Sequence, residues 1–206
     1  MTMPQVCVSR NLSIAGGALG LQPWSVPRMV AQVSATSTGD GAITGAGLTS
    51  PPGRLMIDTG LSWVSDSPLP TMMRLQVIRS YRTIVTSNPN VVQIWDSWRI
   101  GIDQLAQVPN SYGLVNSLCT LGVDHGTNQA ALPNYARVHQ DYPTTATEEW
   151  VELPAGSEID VAYRAYVWTP PPWSNNASAN QPLHEAHARG VKLRLWAFPM
   201  MDGAIR

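Results

Sequence analysis

Lysine is almost missing from this chain: Lys192 is the only one, and every other basic residue is an arginine or a histidine. Charge of either sign is scarce, at 13% of residues against the usual quarter. Basic and acidic side chains number 13 and 14, so the net charge is −1 and the pI about 6.4. That balance gives no electrostatic footprint for nucleic acid. No apolar run approaches the roughly 18 residues of a membrane span. The opening Met-Thr-Met-Pro-Gln-Val-Cys lacks a basic region followed by an apolar stretch, so a secretory signal is not expected. Cysteine is scarce too. Cys7 and Cys119 lie far apart, and two buried reduced thiols in a protein made in cytosol are the expectation, with one disulfide as the alternative.

Hydrophobic residues are at the globular norm, 44% of 206, enough for the core of one β-sandwich or barrel. The 16 glycines and 17 prolines are spread along the whole chain, which implies many turns rather than one disordered tail. A weakly charged surface tends to be covered by neighbours or built from uncharged polar residues. Eight tryptophans stand against a single phenylalanine, Phe198. Tryptophan buries much area and keeps a polar N–H, which suits protein interfaces.

Helical periods are rare and period two recurs. From Ile159 to Trp168, one face carries Ile159, Val161, Tyr163, Ala165 and Val167. The other carries Asp160, Ala162, Arg164, Tyr166 and Trp168, a mixed face. Residues 191–198 alternate likewise, and Met73, Leu75 and Val77 alternate with Arg74 and Gln76. Further β-rich runs are 29–34, 54–57, 61–64, 79–85, 91–102, 114–123, 135–139 and 148–153. Turn signals separate them: Thr38-Gly39-Asp40-Gly41, Pro51-Pro52-Gly53, Ser67-Pro68-Leu69-Pro70, Ser87-Asn88-Pro89-Asn90 and Pro154-Ala155-Gly156. The pattern predicts an all-β, jelly-roll-like β-sandwich. Residues 181–189 are expected as a short helix or a loop, and 170–182 as an extended surface loop.

No residue set reads as catalytic. His184-Glu185-Ala186-His187 has its histidines three apart, where the metalloprotease motif needs four, and no third ligand is marked. Neither a metal nor a cofactor is expected. Asp124-His125-Gly126 has no Gly-x-Ser-x-Gly elbow to accompany it. Asp96 and Asp103 are expected to bond arginines or turn backbones rather than to form an acid–base pair. Trp168, Trp173 and Trp196, with Tyr163 and Tyr166, offer a sugar-binding surface or, preferably, filling for the core or a subunit seam.

The first residues differ. Leu12 to Leu21 form two short apolar alternations about Gly16-Gly17, a hairpin with too little core to stand alone. Residues 1–27, ending near Pro23-Trp24-Ser25-Val26-Pro27, are expected as an N-terminal arm, and 28–206 as the sandwich. Leu12, Ile14, Leu19, Leu21 and Trp24 are the expected oligomerisation residues, most simply in a homotrimer.

This segment resembles one repeat of the triple β-spiral in trimeric viral fibre shafts. The opening Pro4-Gln5-Val6-Cys7-Val8 and Leu19-Gly20-Leu21-Gln22-Pro23-Trp24, with the closing Leu193-Arg194-Leu195-Trp196-Ala197-Phe198-Pro199-Met200-Met201-Asp202-Gly203, resemble minor tail proteins of actinobacterial, mycobacteriophage-like tailed phages. The scarcity of lysine agrees with a GC-rich host. The resemblance implies a virion component, often trimeric, made in the host cytoplasm and partnered by itself and other virion proteins. A tail or baseplate position is preferred. A capsid decoration protein or head fibre is the alternative, and a carbohydrate-binding module for a host cell-surface glycan is a rival of a different class.

Overall fold

The computed structural model describes residues 12–14, 17–19, 26–43, 53–86, 92–107, 116–121, 137–141, 146–168 and 184–200. Among these the chain forms fourteen strands and no helix. They are β1 (Leu12–Ile14), β2 (Gly17–Leu19), β3 (Arg28–Thr36), β4 (Gly41–Ile43), β5 (Arg54–Val64), β6 (Thr71–Arg79), β7 (Arg82–Thr86), β8 (Val92–Ile102), β9 (Ser117–Leu121), β10 (Arg137–Asp141), β11 (Thr147–Leu153), β12 (Glu158–Trp168), β13 (His184–His187) and β14 (Gly190–Pro199).

The body is an all-β sandwich built from three four-stranded antiparallel sheets, ordered β11-β6-β14-β3, β10-β7-β13-β4 and β5-β12-β8-β9. The first two orders correspond strand for strand. The chain runs from β3 into β4 and from β6 into β7, and in the opposite sense from β10 into β11 and from β13 into β14. These two sheets are therefore halves of one sheet of four long strands, creased across its middle. Strands that bend between sheets in this way make the corners of sandwiches.

Backbone chemistry fixes the crease. Arg189 has φ of 56°, in the left-handed region that a residue with a side chain occupies only when its surroundings hold it there. Asp40 supplies that hold: one carboxylate oxygen accepts from the Ala188 N–H at 2.8 Å and the other from the Arg189 N–H at 3.2 Å. The Ser37 N–H donates to the Arg189 carbonyl at 3.1 Å, and the Ser80 N–H to the Gly190 carbonyl at 2.9 Å. A Cβ on Gly190 would lie 2.7 Å from the Ala35 carbonyl oxygen, so the strands approach this closely only with glycine there.

The core lies between the creased sheet and the β5-β12-β8-β9 sheet. Alternation supplies it: Met73, Leu75 and Val77 from β6, Leu193 and Leu195 from β14, and Ile159, Val161, Tyr163 and Val167 from β12 are all buried. That is the face expected of each strand. At the end of β12 the mixed face is buried too, as the preferred reading of its aromatics expects. Tyr166 and Trp168 are buried there, in a second cluster with Trp95, whose ring stacks on Tyr166 at 4.5 Å.

Two expectations need correction. Residues 184–187 are neither helix nor loop but strand β13, paired on one side with β4 and on the other with β7. Two flanking ladders outweigh a sequence with little β-propensity. The runs at 54–57 and 61–64 are one strand, β5, because β12 pairs with it continuously through Gly60, with one bulge between Ala165 and Tyr166. The expected N-terminal hairpin is present as a two-stranded sheet with Leu12 opposite Leu19 and Ile14 opposite Gly17. Leu21, Trp24, Cys7, Trp173 and the loop at 170–182 lie outside the described residues. No helix among the described residues is long and apolar enough to cross a membrane.

Candidate functional site

Two places gather polar and aromatic chemistry, one sealed inside the sandwich and one on its outside. Inside, Arg79 ends β6 on its core face, and Asp96 and Tyr163 point inward from β8 and β12. Arg79 makes an ion pair with Asp96, donating from Nε to one carboxylate oxygen and from Nη2 at 3.2 Å to the other. The Tyr163 hydroxyl donates to the same carboxylate at 2.9 Å, and Arg79 Nη1 donates to Thr147 Oγ1 at 2.7 Å. The guanidinium also lies 5.4 Å from the Trp98 ring centre, and the Trp98 indole N–H donates to Glu149 at 2.6 Å.

Asp96 is 1% exposed and Tyr163 2%, so this cluster is cut off from solvent. Burial first, and the Asp96 carboxylate second, push the Tyr163 phenol well above its ordinary pKa, against the pull of Arg79 and Arg82. Tyr163 is thus a neutral donor. The cluster's donors and acceptors satisfy one another, and its chemistry is that of a tie between layers. The expectation for the two aspartates holds: Asp96 bonds an arginine, and Asp103 accepts from the Glu158 backbone N–H at 2.9 Å.

Outside, the face of the β11-β6-β14-β3 sheet turned away from the core is laid out by register. One cross-strand row reads Trp150, Arg74, Trp196, Met29; the next reads Glu148, Gln76, Arg194, Gln32. Phe198 and Met72 sit opposite each other beside the first row. The Arg74 guanidinium lies 5.5, 5.4 and 5.2 Å from the ring centres of Trp150, Trp196 and Phe198. Arginine at that distance is attracted to the ring faces and holds them in place. Trp150 and Phe198 pack tilted at 5.1 Å. The polar row is bonded as a ladder: Gln76 donates to Glu148 at 2.7 Å, the Trp196 indole N–H to Gln76 at 2.9 Å, and Arg194 to Gln32 at 2.9 Å. Trp150 is still 50% exposed and Met29 45%.

The aromatics weighed from sequence as a sugar surface, and preferably as filling for the core or a seam, separate here. Tyr163, Tyr166 and Trp168 are buried, which removes them from any surface; Trp196 faces outward. Its partners Trp150, Phe198 and Arg74 were not among them. The signal was present in Glu148-Glu149-Trp150-Val151-Glu152, where a tryptophan shares the polar side of an alternating strand, but the register that joins it to Trp196 is not local. For the arm residues Leu12, Ile14 and Leu19 the structure gives strand pairing only. No group of three or more His, Cys, Asp or Glu among the described residues is placed to hold a metal ion.

On the outer side of the other sheet an open depression of about 420 Å³ runs past Asp58 and Asp160. Both carboxylates are engaged, Asp58 with Arg164 at 2.9 Å and Asp160 with the Ala106 N–H at 2.7 Å. The Asp58 hydrogen bond is the main reason that Arg164 has a raised pKa.

Fold and site together define the class: a creased β-sandwich whose buried charges tie its layers and whose outer sheet carries an arginine-centred aromatic face. Over residues 2–203 the chain matches the family model described as Domain of unknown function (DUF7172), and it belongs to that family. No curated protein matches it.

Proposed function

We propose that this chain is a structural protein of a tailed-phage virion, without catalytic activity, that works by assembling with copies of itself and docking to other virion proteins. The observation that carries the reading is the outward face. Its outward aromatics, methionines and arginine are the residue types enriched at protein interfaces, and half-exposed tryptophan is costly to leave in water. The buried Arg79–Asp96–Tyr163 cluster supports it from the other side, because its polar groups serve the fold. The resemblance of both chain ends to minor tail proteins supports a position at the tail tip or baseplate, with capsid decoration or a head fibre as the alternative. The arm at 1–27 then attaches or trimerises it.

A second reading has a specific observation behind it. An outward aromatic row beside a row of amide, carboxylate and guanidinium groups is also what a glycan binder presents. Gold labelling of intact particles with an antibody to this chain tests the first reading. Label at the tail tip is expected. Particles without label would overturn a virion role, and glycan-array binding lost in Trp150→Ala would favour the second reading.

A further inference from the structure

We propose that the outward face of the β11-β6-β14-β3 sheet is an interface between two copies of this chain, related by a two-fold axis that runs along the strands between β6 and β14. The proposal rests on the self-assembly reading above and adds the surface and symmetry that reading lacks. It uses 28–36, 71–79, 147–153 and 190–199, and so is separate from the arm.

Size is the first support. Four strands about 4.8 Å apart and about nine residues long, at roughly 3.3 Å per residue, give a face of about 19 by 30 Å. Two such faces in contact bury on the order of 1,100 Å² or more, above the roughly 1,000 Å² expected of a specific interface. Sheets stack face to face at about 10 Å in aligned packing, so flat side chains such as these fill the gap.

Charge is the second. The outward acidic residues Glu148 and Glu152 are both on β11, and the outward cations are Arg74 on β6, 3.8 Å from Glu148, with Lys192 and Arg194 on β14. The proposed axis sets β11 of one copy over β3 of the other, whose outward Met29, Gln32 and Ser34 carry no charge. It sets β14 over β6, so Arg194 meets Gln76 and lies one strand from Glu148 of the opposite copy. In the aromatic row Trp150 meets Met29, and Trp196 meets Arg74. No charge lies directly over a like charge, since Arg194 lies over Gln76, Lys192 over Ile78 and Arg74 over Trp196, and each cation is one strand away from its own symmetry mate. Edge-to-edge pairing of β11 about Trp150 would instead place Glu148 opposite Glu152, a like-charge pair that disfavours it.

Multi-angle light scattering on the full chain tests this with three variants. Trp150→Glu and Met29→Glu change opposite edges of the face at half-exposed positions. Leu105→Glu changes a residue that is 85% exposed on the other side of the sandwich. Circular dichroism confirms that each variant keeps its β spectrum, and Met29→Glu carries the test if Trp150→Glu does not fold. The expected result is a twofold fall in mass for both face variants and none for Leu105→Glu. Loss of a trimer on deleting 1–27 is a threefold change, so failure of the arm and failure of the face are distinguishable. An unchanged mass in the face variants would overturn the proposal. So would an unchanged mass with oligosaccharide binding lost in Trp150→Glu, which would assign the face to a glycan.

Discussion

Asp96 has the most to lose of any single residue. It neutralises Arg79 and accepts from Tyr163 in the buried interior, so removing its carboxylate leaves a buried guanidinium without its counter-ion. Asp96→Ala is expected to cost about 3–5 kcal/mol in urea unfolding. A loss below about 1 kcal/mol would mean that water reaches Arg79. Tyr163 makes a pH prediction. Its folded pKa is raised above the ordinary value near 10, so below pH about 10 both states hold the proton and pH has no effect. Above that, the unfolded chain loses a proton that the folded chain keeps, so stability falls as pH rises. Wild type should lose stability more steeply than Tyr163→Phe between about pH 10 and 11. Parallel curves for the two proteins would contradict the buried, neutral phenol. At this scale the sequence was half legible. Alternation marked Tyr163 as inward, and an arginine or a turn backbone was the expected partner of Asp96. That the partner is Arg79 depends on how two sheets meet, which no local pattern contains.

Among the elements, β14 and the crease carry the clearest tests. Leu193 is completely buried, and Leu193→Ala should cost about 2–5 kcal/mol through lost transfer energy and the cavity left behind. A change within error would place β14 in another register. Asp40→Ala leaves the Ala188 and Arg189 N–H groups without their acceptor, at about 1–3 kcal/mol. Native-state hydrogen exchange should show those two amides losing protection while the centre of β12 keeps it. The long strands were readable because their apolar residues fall at every second position, as in 159–167 and 191–197. β13 was not, since His-Glu-Ala-His has neither alternation nor β-branching and becomes a strand only between β7 and β4. The continuity of β5 was hidden by Thr59-Gly60, which reads as a break and is held straight by β12. Trp150 shows the same limit for the candidate site: its strand was legible, its neighbours across the sheet were not.

For the whole molecule, the all-β sandwich followed from short alternating runs punctuated by turns, whereas the crease that makes four bent strands out of eight short ones has no signature in one sequence. Assembly belongs to this scale. Four apolar side chains on the arm, Leu12, Ile14, Leu19 and Leu21, are worth about 1.5–3 kcal/mol each if copies bury them together. That offsets much of the entropy of association, and a closed ring leaves no arm unpaired. Deleting 1–27 should therefore dissolve a trimer and leave the β spectrum of 28–206 intact. An undiminished trimer would move that contact to the sandwich. The central claim, that this chain acts by assembling with itself, is tested most directly by the mass of the purified full-length protein from light scattering across a range of concentrations. The account predicts three chains or a multiple of three; 22.4 kDa, a single chain, at the highest concentration would contradict it.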